Sequence, residues 1–384
     1  MKGEINRLDG VDLDAGNDFS AFCYEVIKRT WKNCPFVEIV ADKREDYFRG
    51  DLGWRPVNLP DGWWLDDAPD GVGSKSMLTV AAWKPDQAAS DLVAMTLGDI
   101  VRKGGVPLKL GNVLDARMLG APGSRTNRFF RTAVRGLLEA ALKERIVLYR
   151  GETAELGSCV GSEFESDVAY NWAGFAVGAK HPELAIDGGK LAPEQIIVAI
   201  KENGFRSNGF SAMRQAFRVR FGERWWHNPE AKPFIAAAAE PSVLWSHFLA
   251  RMNGWFSPKF EPIVPMTAIA HITGGGIPEK FGADLLFRYG LSATLNTLWE
   301  PPEIMLECKE WLKMGEEEFF KIFNGGQGAL IVVPTEENAQ TFITLAHEYG
   351  LRAKIAGKIC KPEGEPTLTI VRNSAEKPAV YFPS

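Results

Sequence analysis

Residues 70–75 read DGVGSK, placed between a polar stretch rich in Pro, Asp and Trp and the apolar run MLTVAAW, where a strand ends or begins. Glycines let a backbone come close to a ligand and let successive N–H groups point at an anion. The hexapeptide therefore predicts an anion-facing turn beside a strand. Two more glycine-bearing loops follow the same plan, RGETAE at 150–155 and ITGGGIPE at 272–279, each next to a predicted strand. Neither usual nucleotide fingerprint is present: G-x-x-x-x-G-K-[ST] is absent, and GVGSKS has no third glycine for the dinucleotide motif. A phosphate site here is of another kind.

Acids stand beside these loops: Asp70 opens the first, Asp91 and Asp99 flank one predicted helix, and Glu152 and Glu155 sit in the second. Magnesium takes hard oxygen ligands, keeps several waters and uses one or two carboxylates together with nucleotide phosphates. Asp91 and Asp99 are eight residues apart, which at about 1.5 Å per residue separates their backbones by roughly 12 Å along a helix. Two metals along a triphosphate, or one metal and one structural acid, both satisfy that spacing. Taken singly, Asp91 also reads as a helix N-terminal charge, His271 as a hydrogen-bonded core histidine, Lys75 as a solvated lysine and the glycine triplet as a plain turn.

Working outward, SDLVAMTLGDIVRK at 90–103 places Val93, Leu97, Ile100 and Val101 on one face, with Ser90 as N-cap and Gly104 as the stop. An amphipathic helix is predicted over 127–145, followed by a short strand in IVLYRGET that runs into a loop. GEEEFFKIFNGGQGALIVVP gives a helix, a glycine loop and a buried strand; NAQTFITLAHEYG is predicted helical and LRAKIAGKI a strand. Pro, Gly and charge replace the apolar strand WAGFAVG over 179–194, the predicted boundary between an N-terminal domain, 1–180, and a C-terminal domain, 181–384. Segments 50–70 and 220–260 carry Trp54, Trp63, Trp64, Trp225, Trp226, Trp245 and Trp255 without a clean period. They read as packing or a subunit interface before substrate stacking.

The chain of 384 residues, 45% apolar and 24% charged, has a net charge of -5. It is the composition of an ordinary globular protein long enough for two α/β domains. No long basic run suggests nucleic-acid binding, and no apolar stretch reaches the roughly 20 residues of a membrane helix. The N-terminal residues lack the apolar region of a secretory signal, so a cytoplasmic location is expected. Cys23, Cys34, Cys159, Cys308 and Cys360 form no C-x-x-C pair; they read as reduced, mostly buried thiols rather than a disulfide or zinc framework.

The order of the motifs adds a further reading. DGVGSK, SDLVAMTLGDIVRKGGVPL, RGETAEL with ESDVAYNWAGFAVGA, NGFRSNGFSAMR, AIAHITGGGIPE and IFNGGQGALIVV together resemble the AIR synthetase family, the phosphoribosylformylglycinamidine cyclo-ligases, from VDLDAGN at 11–17 to about residue 358. The resemblance implies two α/β halves, with N-terminal strands of two subunits forming a β-barrel in a homodimer and a C-terminal sheet covered by helices. It implies ATP and Mg2+ as cofactors and cyclisation of formylglycinamidine ribonucleotide to aminoimidazole ribonucleotide. By resemblance, Asp14, Asn17, Gly71, Gly73, Ser74, Lys75, Gly151, Glu152 and Thr153 bind the nucleotide, and Asp70, Asp91, Asp99 and Glu152 hold metal. Arg206, Ser207, Asn208, Thr273, Gly274, Gly275, Gly276 and Asn324 bind substrate, with Lys75, Asp99 and His271 as catalytic candidates.

The sequence departs from the family pattern at several points. FVEIVADKREDYFRGDLGW lacks the family's glycine-rich segment, Arg206 stands where the HSNG stretch has histidine, Gly98 where VND has asparagine, and Ala329 ends the FN-x-G-x-GM stretch. A lysine common on the family's first helix is replaced by Tyr24 or shifted to Lys28. A guanidinium cannot shuttle protons near neutral pH, but it can grip a phosphate. These changes leave two other readings beside the cyclo-ligase: a relative that activates a different amide or acid with ATP, and a nucleotide-binding protein without turnover.

Overall fold

The structure is a computed structural model describing residues 13–41, 51–372, 375 and 377–383. The chain divides into two compact units: the described residues through Ile100 with Val106–Pro182, and Val101–Gly105 with the described residues from Glu183 onward.

The first unit begins with α1 (Leu13–Lys28) and an antiparallel pair, β1 (Val37–Ala41) and β2 (Asp51–Pro56). Its main sheet contains β3 (Trp64–Gly71), β4 (Val106–Ala116), β5 (Val147–Glu155) and β6 (Tyr170–Lys180) in the order β3-β6-β4-β5. Three helices accompany it, α2 (Lys75–Ala81), α3 (Pro85–Val101) and α4 (Arg125–Lys143). Alternate residues of β6 face opposite ways. A side chain on Gly174 would meet Leu92 at 3.0 Å and one on Gly178 would meet Ile100 at 2.5 Å, so these glycines let α3 lie close on that face. The other face carries Leu65, Val113 and Phe175, all exposed.

Several local expectations change here. DGVGSK ends a strand, but MLTVAAW continues as the helix α2 and the preceding WLDDAPDG is itself the strand β3. As an edge strand, β3 tolerates Pro69 and solvent-facing acids, which hide its period. RGETAE is no loop; it forms the second half of β5, in register with Asn112–Ala116 beyond an irregularity at Leu110/Asn112. Helix α3 starts at Pro85 rather than after Ser90, since proline fits the first helical turn. Ser124 caps α4 by accepting from the Asn127 N–H at 3.1 Å.

The second unit is built on a sheet in the order β13-β12-β9-β11-β7-β10-β8. Its strands are β7 (Ile196–Lys201), β8 (Ala268–His271), β9 (Ser292–Leu295), β10 (Gln327–Val333), β11 (Ala353–Cys360), β12 (Leu368–Ile370) and β13 (Ala379–Tyr381). Helices α5 (Phe210–Phe221), α6 (Lys232–Ala238), α7 (Ser246–Met252), α8 (Glu303–Leu312), α9 (Glu316–Ile322) and α10 (Glu336–Glu348) surround it. Val198, Ile200, Ile331 and Val333 pack with Trp245, Phe248, Leu249 and Phe342 in one core.

The tryptophans of 220–260 serve packing: Trp225, Trp245 and Trp255 are fully buried. Phe217, Phe221 and Phe234 all lie edge-on to Trp311, with centroids 5.3–5.8 Å away. Gly104, at φ +82°, offers its carbonyl to Asn253 Nδ2 at 2.9 Å and Trp255 Nε1 at 2.8 Å. Asn253 Nδ2 also donates to the Leu184 carbonyl at 2.7 Å. All five cysteines are free, but only Cys34 and Cys308 are buried; Cys159 is exposed. Burial pushes the Cys34 and Cys308 thiols up to about 12.

Candidate functional site

In the first unit, β3 delivers Asp70 and Gly71 to the sheet edge, and the chain turns through Gly73, at φ +55°, into α2. A left-handed φ is cheap only for glycine, which accounts for that residue. Asp70 Oδ1 accepts from the Gly71 N–H at 2.7 Å. Burial raises the Asp70 carboxyl above the usual carboxylate range; the Gly71 N–H opposes this and the charge of Asp99 adds to it. Asp70 and Asp99 therefore lie within electrostatic reach of one another, and a cation between them would relieve that repulsion.

Lys75 points inward. Its Nζ lies 2.7 Å from the Asp91 carboxylate and both side chains are fully excluded from solvent. Two expectations are corrected. Asp91 sits inside α3, so it is not an N-terminal helix charge, and Lys75 is neither solvated nor displayed to a ligand. The pair joins α2 to α3 and fixes the turn above it. Beside it, Thr79 Oγ1 donates to the Ser76 carbonyl at 2.8 Å and meets the Tyr170 hydroxyl at 2.6 Å. Burial, foremost, holds that phenol well above its ordinary range.

Glu152 is elsewhere on the sheet. Asp70 is in register with Gly174, Gly174 with Asn112, and Asn112 with Gly151. Three strand spacings of about 4.8 Å put Gly151 roughly 14 Å from Asp70. Glu152 instead borders a cavity of about 520 Å³ on the outer face, with Asn112, Val113, Arg150 and Phe175. The four acids named as metal ligands thus fall into three places, with Asp91 taking the part of the structural acid. Among the described residues, no group of three or more His, Cys, Asp or Glu side chains could hold a metal ion. Asp70 and Asp99 suit an ion completed by phosphate oxygens and water. Asp14 and Asn17 are exposed on α1.

In the second unit the expected substrate residues surround a buried polar network. Arg206 Nη1 donates to Glu202 Oε2 at 2.9 Å and to the Val243 carbonyl at 3.0 Å, and its Nε donates to His271 Nε2 at 2.8 Å. The guanidinium also lies 4.6 Å from the centre of the Trp245 ring. Arg206, Glu202 and Trp245 are fully buried and His271 nearly so, at 2% exposure. Glu202 Oε1 accepts from the Asn203 and Val243 N–H groups at 2.9 and 3.1 Å.

The expectation that Arg206 grips a phosphate is therefore corrected: its donors are turned to internal acceptors. His271, whose Nε2 is occupied by Arg206, is a partner in this network rather than an open proton carrier. Arg206 and Ser207 hold φ of +50° and +54°, a conformation costing about 1–3 kcal/mol per non-glycine residue and kept only where surroundings enforce it.

Around the network, Asn208 Nδ2 donates to the Arg206 carbonyl at 2.6 Å, and a Cβ on Gly274 would lie 3.3 Å from Asn208 Oδ1. Gly276, at φ +62°, packs so tightly that a Cβ would meet the Phe320 carbonyl at 1.9 Å. Asn324 is buried, donating to the Gly204 carbonyl at 2.9 Å and accepting from the Gly326 N–H at 2.8 Å. It braces the glycine loop instead of facing a ligand. Thr273, Gly274 and Gly275 retain solvent contact. Glu202 was missed from sequence, its spacing four residues before Arg206 being the available signal; Trp245, read there as packing, is buried against the guanidinium.

The family descriptions "AIR synthase related protein, N-terminal domain" and "AIR synthase related protein, C-terminal domain" match residues 57–179 and 258–368. Phosphoribosylformylglycinamidine cyclo-ligase of Streptococcus pneumoniae is 30% identical over 360 residues, covering 93% of this chain and 96% of that protein. The Thermodesulfovibrio yellowstonii protein of the same name is 28% identical over 367 residues, covering 94% and 97%. Among solved structures, thiamine-monophosphate kinase from Stenotrophomonas maltophilia superposes with a TM-score of 0.56 at 12% identity, covering 92% of this chain and 97% of that one. T. maritima PurL complexed with FGAR gives 0.50 at 14% identity over 94% of this chain; the present chain spans 52% of that PurL chain. These two likenesses are of fold. The matched descriptions and the near full-length identity together place the chain in the AIR synthase related family, beside its phosphoribosylformylglycinamidine cyclo-ligases.

Proposed function

We propose that this protein is an ATP-dependent phosphoribosylformylglycinamidine cyclo-ligase, converting formylglycinamidine ribonucleotide to aminoimidazole ribonucleotide with release of ADP and phosphate. The observation that carries the reading is the 30% identity over 93% of the chain and 96% of a relative bearing that name. ATP phosphorylates the formyl amide oxygen, the internal nitrogen attacks that carbon, and the oxygen departs with phosphate. Magnesium, when bound, would neutralise phosphate charge and orient the nucleotide; Asp70 and Asp99 are the residues that would hold it.

Phosphoryl transfer asks mainly for positioning and charge stabilisation. Gly73 and Ser74 offer backbone donors beside that pair, the Gly71 N–H being taken by Asp70, and Lys75 with Asp91 keeps their turn in place. Asn208 and Thr273–Gly275 form the substrate loop, propped by the Arg206 network. Gly151 and Glu152 border the cavity on the outer face of the first sheet, and Thr153 follows them in β5. The exposed Leu65, Val113 and Phe175 there support a homodimer in which a second copy covers that face.

Purified protein with magnesium and ATP should release ADP only when formylglycinamidine ribonucleotide is added. Arg206 in place of the family's histidine favours a second reading, activation of another amide. ADP release with such an amide, and none with formylglycinamidine ribonucleotide, would select it; binding of ATP without turnover on any acceptor would reject both.

A further inference from the structure

Strands β7 and β11 bring three cations to one indole in the second unit. Lys354 Nζ lies 4.6 Å from the Trp299 ring centre, the Arg352 guanidinium 4.9 Å and Lys201 Nζ 5.8 Å. Backbone pairing fixes the strand ends, since the Lys201 N–H donates to the Arg352 carbonyl at 2.8 Å. The ring itself is pinned. Its Nε1 donates to the Ala199 carbonyl at 3.1 Å, and its backbone N–H and carbonyl are both held by the buried Gln327 side chain, at 3.1 and 2.8 Å.

Cation–π attraction stabilises one cation over such a face, but three like charges also repel one another. Among the described residues, neither Lys201 nor Arg352 forms an ion pair with a carboxylate. Lys354 feels Glu300, whose carboxylate lies 3.9 Å from Arg372. Both lysines are held below their ordinary range, chiefly by burial. Burial, then the charge of Arg352, lowers Lys201; burial lowers Lys354, with Glu300 opposing and Arg352 adding. Next to the indole is a cavity of about 260 Å³, with Asn296, Thr297, Lys354 and Arg372 in its wall together with one acid, Glu300, which Arg372 faces at 3.9 Å. It is large enough for a phosphate group and a small polar body.

We propose that Lys201, Arg352 and Lys354 on the Trp299 platform form a binding site for a phosphomonoester dianion. The dianion brings the missing countercharge, and the adjoining cavity takes the group it esterifies. The inference does not depend on the cyclo-ligase reading, because it is tested by binding rather than turnover.

The experiment is calorimetric titration of the full-length protein with orthophosphate and with ribose 5-phosphate, at pH 7 and constant ionic strength. Wild type should show a saturable site that Lys354→Gln and Arg352→Gln each weaken at least tenfold, and that the double variant loses. Lys259→Gln, exposed on the same unit and outside that cavity, should leave it unchanged. Tenfold tighter binding of ribose 5-phosphate assigns the site to organic esters, whereas equal affinity assigns it to free phosphate. No saturable binding of either ligand, or the same number of sites and affinity in the double variant, overturns the proposal.

Discussion

Each unit hides a charged pair beneath a glycine turn, and the two pairs are built differently. In the first, Lys75 meets Asp91 between two helices. In the second, Glu202 and Arg206 sit in a network with His271, the Val243 carbonyl and two backbone N–H groups. A buried charge is expensive unless paired and hydrogen-bonded, so the first arrangement depends heavily on one contact while the second spreads its dependence over many. The acids left over in the first unit, Asp70 and Asp99, remain half-exposed and mutually repelling. At its glycine loop the second unit has turned Glu202 and Arg206 inward and left Thr273, Gly274 and Gly275 in contact with solvent. Charge offered to a ligand and charge used as scaffold are therefore separated, and the difference is open to experiment.

The largest effect should come from Asp91→Ala, which strands the Lys75 ammonium in the interior and should cost about 3–5 kcal/mol. Replacing both partners, Lys75→Met with Asp91→Leu, should recover most of that loss in urea denaturation. A cost below about 1 kcal/mol for the single change would mean that the pair is no keystone. Asp70→Asn should act in opposite directions on turnover and stability. ADP release should fall on the order of 100-fold, as for loss of one charge-stabilising group, while the metal-free protein should melt about 2 °C higher. The sign follows from linkage. A carboxyl whose folded value is raised favours the fold below its unfolded value and loses that contribution as pH rises through the raised one, so near neutrality its ionisation opposes folding.

Arg206→Lys should cost about 1–3 kcal/mol, because an ammonium cannot serve Glu202, His271 and Val243 together. KM for the nucleotide substrate should change less than twofold. A tenfold rise in KM with unchanged melting would restore the guanidinium to a ligand-binding role and erase the contrast. The smallest effect is expected at Glu316. Burial alone would raise its carboxyl, but hydrogen bonds from Arg372 and Lys309 and their charges outweigh burial and hold it below its ordinary range. Its contribution is present above the ordinary carboxylate value and is lost as pH falls through the lowered one. Glu316→Gln should therefore lose at most about 1 kcal/mol at pH 7, the pair being partly solvent-screened, and match wild type in acid.

Much of the fold was legible wherever burial imposed a period. ALIVV in β10, WAGFAVG in β6 and the amphipathic α4 were read from their own residues, though not the Ser124 cap of that helix. WLDDAPDG was not, because an edge strand can keep acids and proline on its open side. Nor was the helical state of MLTVAAW, since a short apolar run fits helix and strand alike. The candidate site was legible as a set of motifs but not as an arrangement. Asp91 is sixteen residues from Lys75, and nothing local shows that the two meet; Glu152 adjoins a glycine as Asp70 does, yet it lies across the sheet. Side-chain direction, which sequence spacing does not report, decides which charge faces solvent.

The carbonyl of Gly104 bears on how this molecule can be divided. Asn253 and Trp255, both buried, each spend a donor on it, although it lies far upstream in a segment preceding most of the first unit's sheet. A fragment cut at 182/183 would leave the later piece with two orphaned donors, at about 1–3 kcal/mol each. The second unit is thus not one contiguous stretch of chain, and a fragment meant to reproduce it has to carry residues 101–105 along.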